Sequence, residues 1–355
     1  MAKVVIGHSS LLARELAGRL RAGPDKPIVH LIEDPASDAY AEVASLLEAD
    51  PRADPRADTG ADPRADPRAE LEVWNCAGLR PVAASDTELL EAVHSTGEAL
   101  ALSEELGAAR FHHVSSISVG GGFEGTFAEK HFDEGQDLTL THAQSAFEQE
   151  RWVRENSAVP WRIYRPGIVI GNSRTGAMDG IDGPAHFFSA LDLSRRVLPA
   201  WMPLVGPDFG ITNMVPSDFV AEAMVALGAL PGLDGEAFHL GSPERLNTAD
   251  VHNIFATIAN APHAFPISRQ TSVGALVGQF YRSVMATPAL ADIRAMAFRA
   301  VEIPEHIIER MTFGFEFDST QTATLLATMG IRCPRLESYA PLLWANWLAT
   351  SASVT

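Results

Sequence analysis

The first 32 residues place the strongest constraint on what this chain can fold into. Residues 3 to 7 form a short apolar run ending in Gly7, and LLARELAGRL follows with Leu11, Leu12, Leu16 and Leu20 at helical spacing. A second apolar run, Pro27 to Ile32, ends in Glu33 and Asp34, where the second strand of a βαβ unit should stop. Strand, turn, helix and strand are complete by residue 32.

The alternation continues. LEVWNCAG reads as a buried strand, a helix is expected from about Asp86 to Leu106, and RFHHVSSISVGG reads as a strand running into a glycine turn. A helical stretch from His142 to Glu155 precedes WRIYRPGIVIGNS, a β-rich run, and VPSDFVAEAMVALGAL reads as an N-capped helix with Asp218 near its start. The pattern predicts an α/β fold: a Rossmann-like, doubly wound parallel sheet with helices on both faces, and a smaller, mainly helical C-terminal substrate lobe from about Asn247. At 355 residues and 46% hydrophobic content the chain can bury a full core. Residues 1–170 are expected to form the Rossmann-like core, and 171–355 the remaining core elements plus a substrate-side lobe that does not fold independently. Residues 49–70 repeat ADPR four times around ADTG, offer no large apolar side chain, and are expected to be a disordered or extended surface loop.

Composition removes several function classes. The formal charge of -18 disfavours nucleic acid, which needs a basic patch. The two cysteines, Cys76 and Cys333, lie outside any CxxC spacing, so neither a disulfide framework nor a metal site is expected. The opening residues interrupt their apolar run with Arg and Glu, unlike a signal peptide. No stretch reaches the roughly 18 apolar residues of a membrane span, and a cytoplasmic location is expected. There is no Gly-x-Ser-x-Gly elbow and no HExxH motif.

The blocks VSSISVGG, SAFEQERWVRENSAVPWRIYRPGIVIGNSRTGAMDGIDGPAHFF, NMVPSDFVAEAM and GEAFHLGSPE, in this order, resemble the extended short-chain dehydrogenases/reductases. Within them the resemblance is to the thioester reductase and bacterial fatty acyl-CoA reductase-like branch, which YAPLLWANWL near the end also resembles. It covers nearly the whole chain.

The resemblance implies NADPH-dependent reduction of an acyl thioester or aldehyde, with three requirements. The glycine turn that lets pyrophosphate approach the helix N-terminus falls on Gly7, Ser10 and Ala13, where one glycine survives. The group facing the adenosine ribose falls on Glu33 and Asp34, whose charge disfavours a 2′-phosphate and leaves NAD open. Further cofactor-facing positions fall on Ala77, Gly78, Arg165 and Pro166, so the nucleotide site reads as weak or vestigial. The catalytic Ser/Thr corresponds to Ser116, but the Tyr and Lys, four apart on one helical face, correspond to His142 and Ala146. Lys would lower the Tyr pKa and anchor the nicotinamide ribose, and its loss disfavours ordinary reduction. His142 reads either as an acid/base, since an unperturbed imidazole titrates near pH ~6.5, or as a polar filler left after Tyr was lost.

Other positions weigh toward structure. His112 and His113 should face opposite sides of a strand. Glu129, Lys130, His131 and Asp133 lie in a loop that approaches the substrate in the resembling enzymes, and Asn172, Arg174, Asp179 and Asp182 in a loop that reads equally as a scaffold turn. Three functions follow. The first is redox-neutral cyclisation, dehydration or isomerisation of an acyl or polyketide-like intermediate by Ser116 and His142, with no cofactor required. The second is NAD(H)- or NADP(H)-dependent reduction of a thioester or aldehyde. The third is an inactive module that pairs with an active relative. A homodimer is also open.

Overall fold

Why the first residues pair as predicted is visible in their burial. Val4, Val5 and Ile6 have no exposed surface, as a central parallel strand covered on both faces requires. The computed structural model describes residues 2–7, 10–24, 27–32, 43, 45, 71–80, 84–179, 183–207, 210–267 and 315–351. Glu33, Asp34, Asp182 and the ADPR tract lie outside the described residues.

In chain order the strands are β1 (Ala2–Ile6), β2 (Ile28–Ile32), β3 (Glu72–Asn75), β4 (Arg110–Val114), β5 (Thr126–Phe127), β6 (Trp161–Pro166) and β7 (Ile168–Ile170). There follow β8 (Leu204–Pro207), β9 (Ile211–Thr212), β10 (Met214–Pro216), β11 (Ala237–Leu240), β12 (Leu246–Asn247), β13 (Ala264–Ile267) and β14 (Glu316–Phe317). The helices are α1 (Leu11–Arg21), α2 (Asp86–Glu105), α3 (Thr141–Asn156), α4 (Gly183–Val197), α5 (Ser217–Ala229), α6 (Thr248–Ala259), α7 (Thr320–Thr328) and α8 (Leu336–Ser351).

Six strands make one sheet in the order β11-β6-β4-β3-β1-β2, and every neighbouring pair is parallel. From β1 the chain first goes outward to β2 and then crosses to β3 on the other side. The crevice between the ends of β1 and β3 is therefore the topological switch point, where open α/β sheets bind ligands. The period of two along each strand sorts the core. Val5, Trp74, Val114, Tyr164 and Phe238 pack toward α1 and α5, whereas Val4, Val73, Phe111 and Ile163 pack toward α2.

His112 and His113 fall on opposite faces, as their alternation predicts: His112 stacks on Trp74 at 3.6 Å and His113 on Phe111 at 6.4 Å. A third cluster joins Ile117, Ala146 and Phe147 to Phe188, Phe255, Trp344 and Trp347. It joins the start of α3 to α6 and α8, and the Phe187–Phe188 segment belongs to this core. The predicted cap of α5 differs: Pro216 stands at its N-cap without a side-chain bond. Asp218 accepts instead from the Ser173 N–H and hydroxyl, both at 2.8 Å, and so ties the loop after β7 to α5.

Candidate active site

At the switch point two turns touch. Gly7 has φ +84°, and a Cβ there would lie 2.9 Å from the Ala77 nitrogen, so only glycine allows both the backbone conformation and the approach. The second turn is held from below by Asn75, whose Oδ1 accepts from the Ala77 N–H at 3.0 Å and whose amide nitrogen is 3.3 Å from His113 Nδ1. Gly78 backs onto α3, where any Cβ would collide with Gln149 Oε1. Gln149 also reaches Gly78 O, Ser145 and Thr96. Neither Asn75 nor Gln149 stood out in the sequence, since an amide is informative only once its partners are known.

The N-terminus of α1 opens on the same crevice. Ser10 caps it: its Oγ accepts from the Ala13 N–H and donates to Gly7 O, each at 3.1 Å. The Leu11 N–H donates to the carboxylate of Asp179, and Arg14 donates to the other carboxylate oxygen at 2.5 Å. This donor set suits an anion, because helix N–H groups and the macrodipole both favour negative charge. Asp179 was legible only as part of a specific loop; its approach to a helix 168 residues earlier was not.

On the substrate side, Ser116 follows β4 in extended conformation and caps the 3₁₀ turn Ile117–Gly120. Its Oγ accepts from the Ser118 N–H at 3.2 Å, which leaves the hydroxyl proton to donate. That turn packs on α3, the helix carrying half-buried His142 and, one turn later on the same face, Ala146. Ala146 is 4% exposed and clusters with Ile117 and Val119. The structure thus brings Ser116 and the His142 helix together and fills the lysine position with packed methyl and methylene groups.

Adjacent Ser115 donates to Glu150, further along the same helix, at 2.6 Å. Glu150 and Arg165 are both 0% exposed and form a two-pronged pair at 2.8 and 2.7 Å. Arg165 Nη1 further donates to Glu129 O and His131 O and lies 3.2 Å from His239 Nε2. Burial alone would raise the Glu150 pKa, but Arg165, Arg154 and the Ser115 hydroxyl outweigh it and hold the carboxyl at about 2. Arg165 therefore sits inside the protein with its nitrogens turned to this network, and Pro166 lies in the β6–β11 ladder opposite Leu240.

The remaining candidates separate. Burial lowers both His112 and His113 to about 4, so both rings are neutral at neutral pH. Glu129 is buried and accepts from the His239 and Thr322 N–H groups, and His131 Nδ1 accepts from the Ala128 N–H within its own turn. Asn172 caps the Arg174 and Thr175 N–H groups and reaches Glu15 at 2.5 Å. Among the described residues no group of His, Cys, Asp and Glu side chains could hold a metal ion, and no helix is long and apolar enough to cross a membrane.

Comparison with known proteins agrees with this geometry. Residues 73–224 match a family of NAD-binding domains described as Male sterility protein. The chain is 28% identical over 161 residues to a non-canonical nonribosomal peptide synthetase, FrzA, of Cladobotryum sp, a match covering 42% of this chain and 15% of that protein. It is 27% identical over 171 residues to the aldehyde reductase lnbA of Aspergillus flavus, covering 44% and 16%. The chain thus spans a small part of the length of these relatives. Among solved structures, the terminal R domain from the myxalamid PKS-NRPS pathway superposes with TM-score 0.61 at 18% identity, covering 99% of this chain and 91% of that one. A thiolation-reductase di-domain from an archaeal non-ribosomal peptide synthetase gives 0.63 at 15%, covering 100% and 76%. With its parallel sheet and switch-point crevice the chain has the Rossmann-like fold of these reductase domains, and residues 73–224 are similar to the Male sterility family.

Proposed function

We propose that this protein is a nicotinamide-dependent reductase of biosynthetic metabolism acting on an acyl thioester or an aldehyde. The observation that carries the reading is the meeting of two elements: the Ser116 turn packs on the helix that bears His142. This reading is preferred to cofactor-free cyclisation, dehydration or isomerisation because the relatives in sequence are named as peptide synthetases and an aldehyde reductase. The nucleotide crevice also keeps its backbone form at Gly7 and Ala77.

The residues that would hold the dinucleotide are the Gly7 and Ala77–Gly78 turns and the N-terminus of α1, whose donor set suits a diphosphate. When bound, the reduced nicotinamide supplies the hydride. Ser116 donates its hydroxyl proton in a hydrogen bond to the substrate carbonyl oxygen and so polarises the carbon. His142 takes the place of the family phenol and, as imidazolium, delivers a proton to the developing alkoxide of an aldehyde, giving an alcohol. With a thioester the carbon–sulfur bond of the hydride adduct breaks to give the aldehyde, and the departing sulfur takes the His142 proton and leaves as the thiol. A histidine donor needs no lysine to depress its pKa, unlike a tyrosine, which fits alanine at position 146.

Following absorbance at 340 nm with NADH or NADPH against acyl-CoA thioesters and aldehydes of graded length tests the proposal. Cofactor consumption is expected, and Ser116→Ala and His142→Ala should each lower kcat by about 100-fold. No oxidation by the native chain across the series, together with no dinucleotide binding in calorimetry, would refute it.

A further inference from the structure

We infer that Ser115 is a positioning residue of the site: by donating to Glu150 it fixes the Ser116 hydroxyl in register with the helix that carries His142. Its effect on turnover rests on the reductase reading, whereas its effect on the geometry of the site does not. Three observations carry it.

The first is where the chain leaves the sheet. The β4–β6 ladder ends at Val114 opposite Tyr164, and the Ser115 N–H makes one more bond to β6, to Tyr164 O at 2.8 Å. Among the described residues, the hydrogen bonds of Ser116 stay within its own turn: its Oγ accepts from the Ser118 N–H and its carbonyl from the Val119 N–H, each at 3.2 Å. Past Ser116 the turn is tied to the loop before α3 by Gln136, which donates to Val119 O at 3.0 Å. The turn meets α3 itself through Ile117 and Val119 against Ala146 and Phe147. Apolar contact of this kind is non-directional, so it sets a separation and leaves the register open.

The second is the directional bond. His142, Ala146 and Glu150 follow one another at intervals of four on α3 and so share a face. Ser115 Oγ donates to Glu150 Oε1 at 2.6 Å. An ionised carboxylate accepts and never donates, and a hydroxyl bonded to it makes a short, strong contact. The residue before Ser116 is thereby locked to the His142 face of α3, two turns further along the helix.

The third is that the acceptor cannot follow a displaced donor. Arg165 holds both Glu150 oxygens, at 2.8 and 2.7 Å, and it stands on β6 next to Tyr164, whose carbonyl already takes the Ser115 N–H. Ser115 main chain, Tyr164, Arg165, Glu150 and Ser115 side chain form a closed frame, all of it buried. Ser116 is one peptide unit from this frame, about 3.8 Å between Cα atoms. Misplacing a reacting group by about 1 Å can cost about 100-fold in rate, so a frame this close decides whether the Ser116 hydroxyl and His142 meet the same carbonyl.

The test uses Ser115→Ala, Ser115→Thr, Ser116→Ala and the Ser115→Ala/Ser116→Ala double variant. Two readouts are taken: kcat and KM from NADH or NADPH oxidation, and amide hydrogen exchange at Ser118 and Val119, whose N–H groups bond the two Ser116 oxygens. Ser115→Ala is expected to lower kcat about tenfold or more with KM unchanged, and to speed exchange at both amides about tenfold while α3 amides keep their native rates. Because Ser115 acts through Ser116, removing it in the Ser116→Ala background should cost nothing further. Ser115→Thr keeps the hydroxyl and should retain native kcat and exchange. Native exchange in Ser115→Ala, an equal loss of kcat in the Ser116→Ala background, or a Thr variant as impaired as Ala overturns the inference. If the native chain oxidises neither cofactor, the reductase reading fails, and exchange alone decides: faster exchange in the Ala variant and native exchange in the Thr variant uphold Ser115 as the tether of Ser116.

Discussion

Glu150→Gln isolates the buried ion pair between α3 and β6. Glu150 and Arg165 are both fully buried, bonded through two parallel hydrogen bonds, and joined by the Ser115 hydroxyl. Gln keeps the volume and one acceptor oxygen, but it turns an amide N–H2 toward a guanidinium nitrogen and leaves Arg165 buried without a counter-charge. Breaking a buried pair from one side costs about 3–5 kcal/mol. The titration gives a compatible size: an ordinary value of 4.5 held at about 2 corresponds to about 3 kcal/mol. The folded pKa is depressed, so this stability is fully present above pH ~4.5 and is lost as the pH falls toward about 2. Urea unfolding followed by circular dichroism should show the variant about 3 kcal/mol less stable at pH 7, with the difference from the native chain shrinking between about pH 5 and pH 2. Glu72, also held at about 2, is common to both proteins and cancels in the difference. A loss below about 1 kcal/mol at pH 7, or a difference that does not change with pH, would refute the reasoning.

Two further substitutions probe the crevice. Gly7→Ala places a Cβ at φ +84° and 2.9 Å from the Ala77 nitrogen; it should cost more than about 1 kcal/mol in urea unfolding and weaken NADH binding in calorimetry. Ala146→Lys, the residue the family pattern would supply, must enter a position 4% exposed among Ile117 and Val119. It should lower stability by about 1–3 kcal/mol, and unchanged unfolding would show that this face of α3 opens to the crevice.

Local periodicity made much of this protein readable from its amino acids. The strand–turn–helix opening, the buried β3 and β4 strands and the shared face of His142 and Ala146 follow from spacings of two, three and four residues, which backbone geometry fixes within a turn or a strand. Ser116 at a strand end belongs to the same class, whereas Ser10 acts as a cap where the sequence pattern places it only in the glycine turn. The sequence alone also gives His142 and Ala146 four residues apart, a matter of side-chain identity that no folding changes.

Tertiary structure decided the rest. Sheet order brought β11 beside β6, and with it His239 beside Arg165, 74 residues apart. It set Arg165 against Glu150, and it carried Asp179 onto the first turn of α1. Such pairings depend on crossovers and on the docking of distant loops, and a chain's local pattern holds no record of which charge it will meet. The candidate residues of the site were therefore legible one by one, whereas the contact of Asp179 with the first turn of α1 became visible only when the two had been placed together in space.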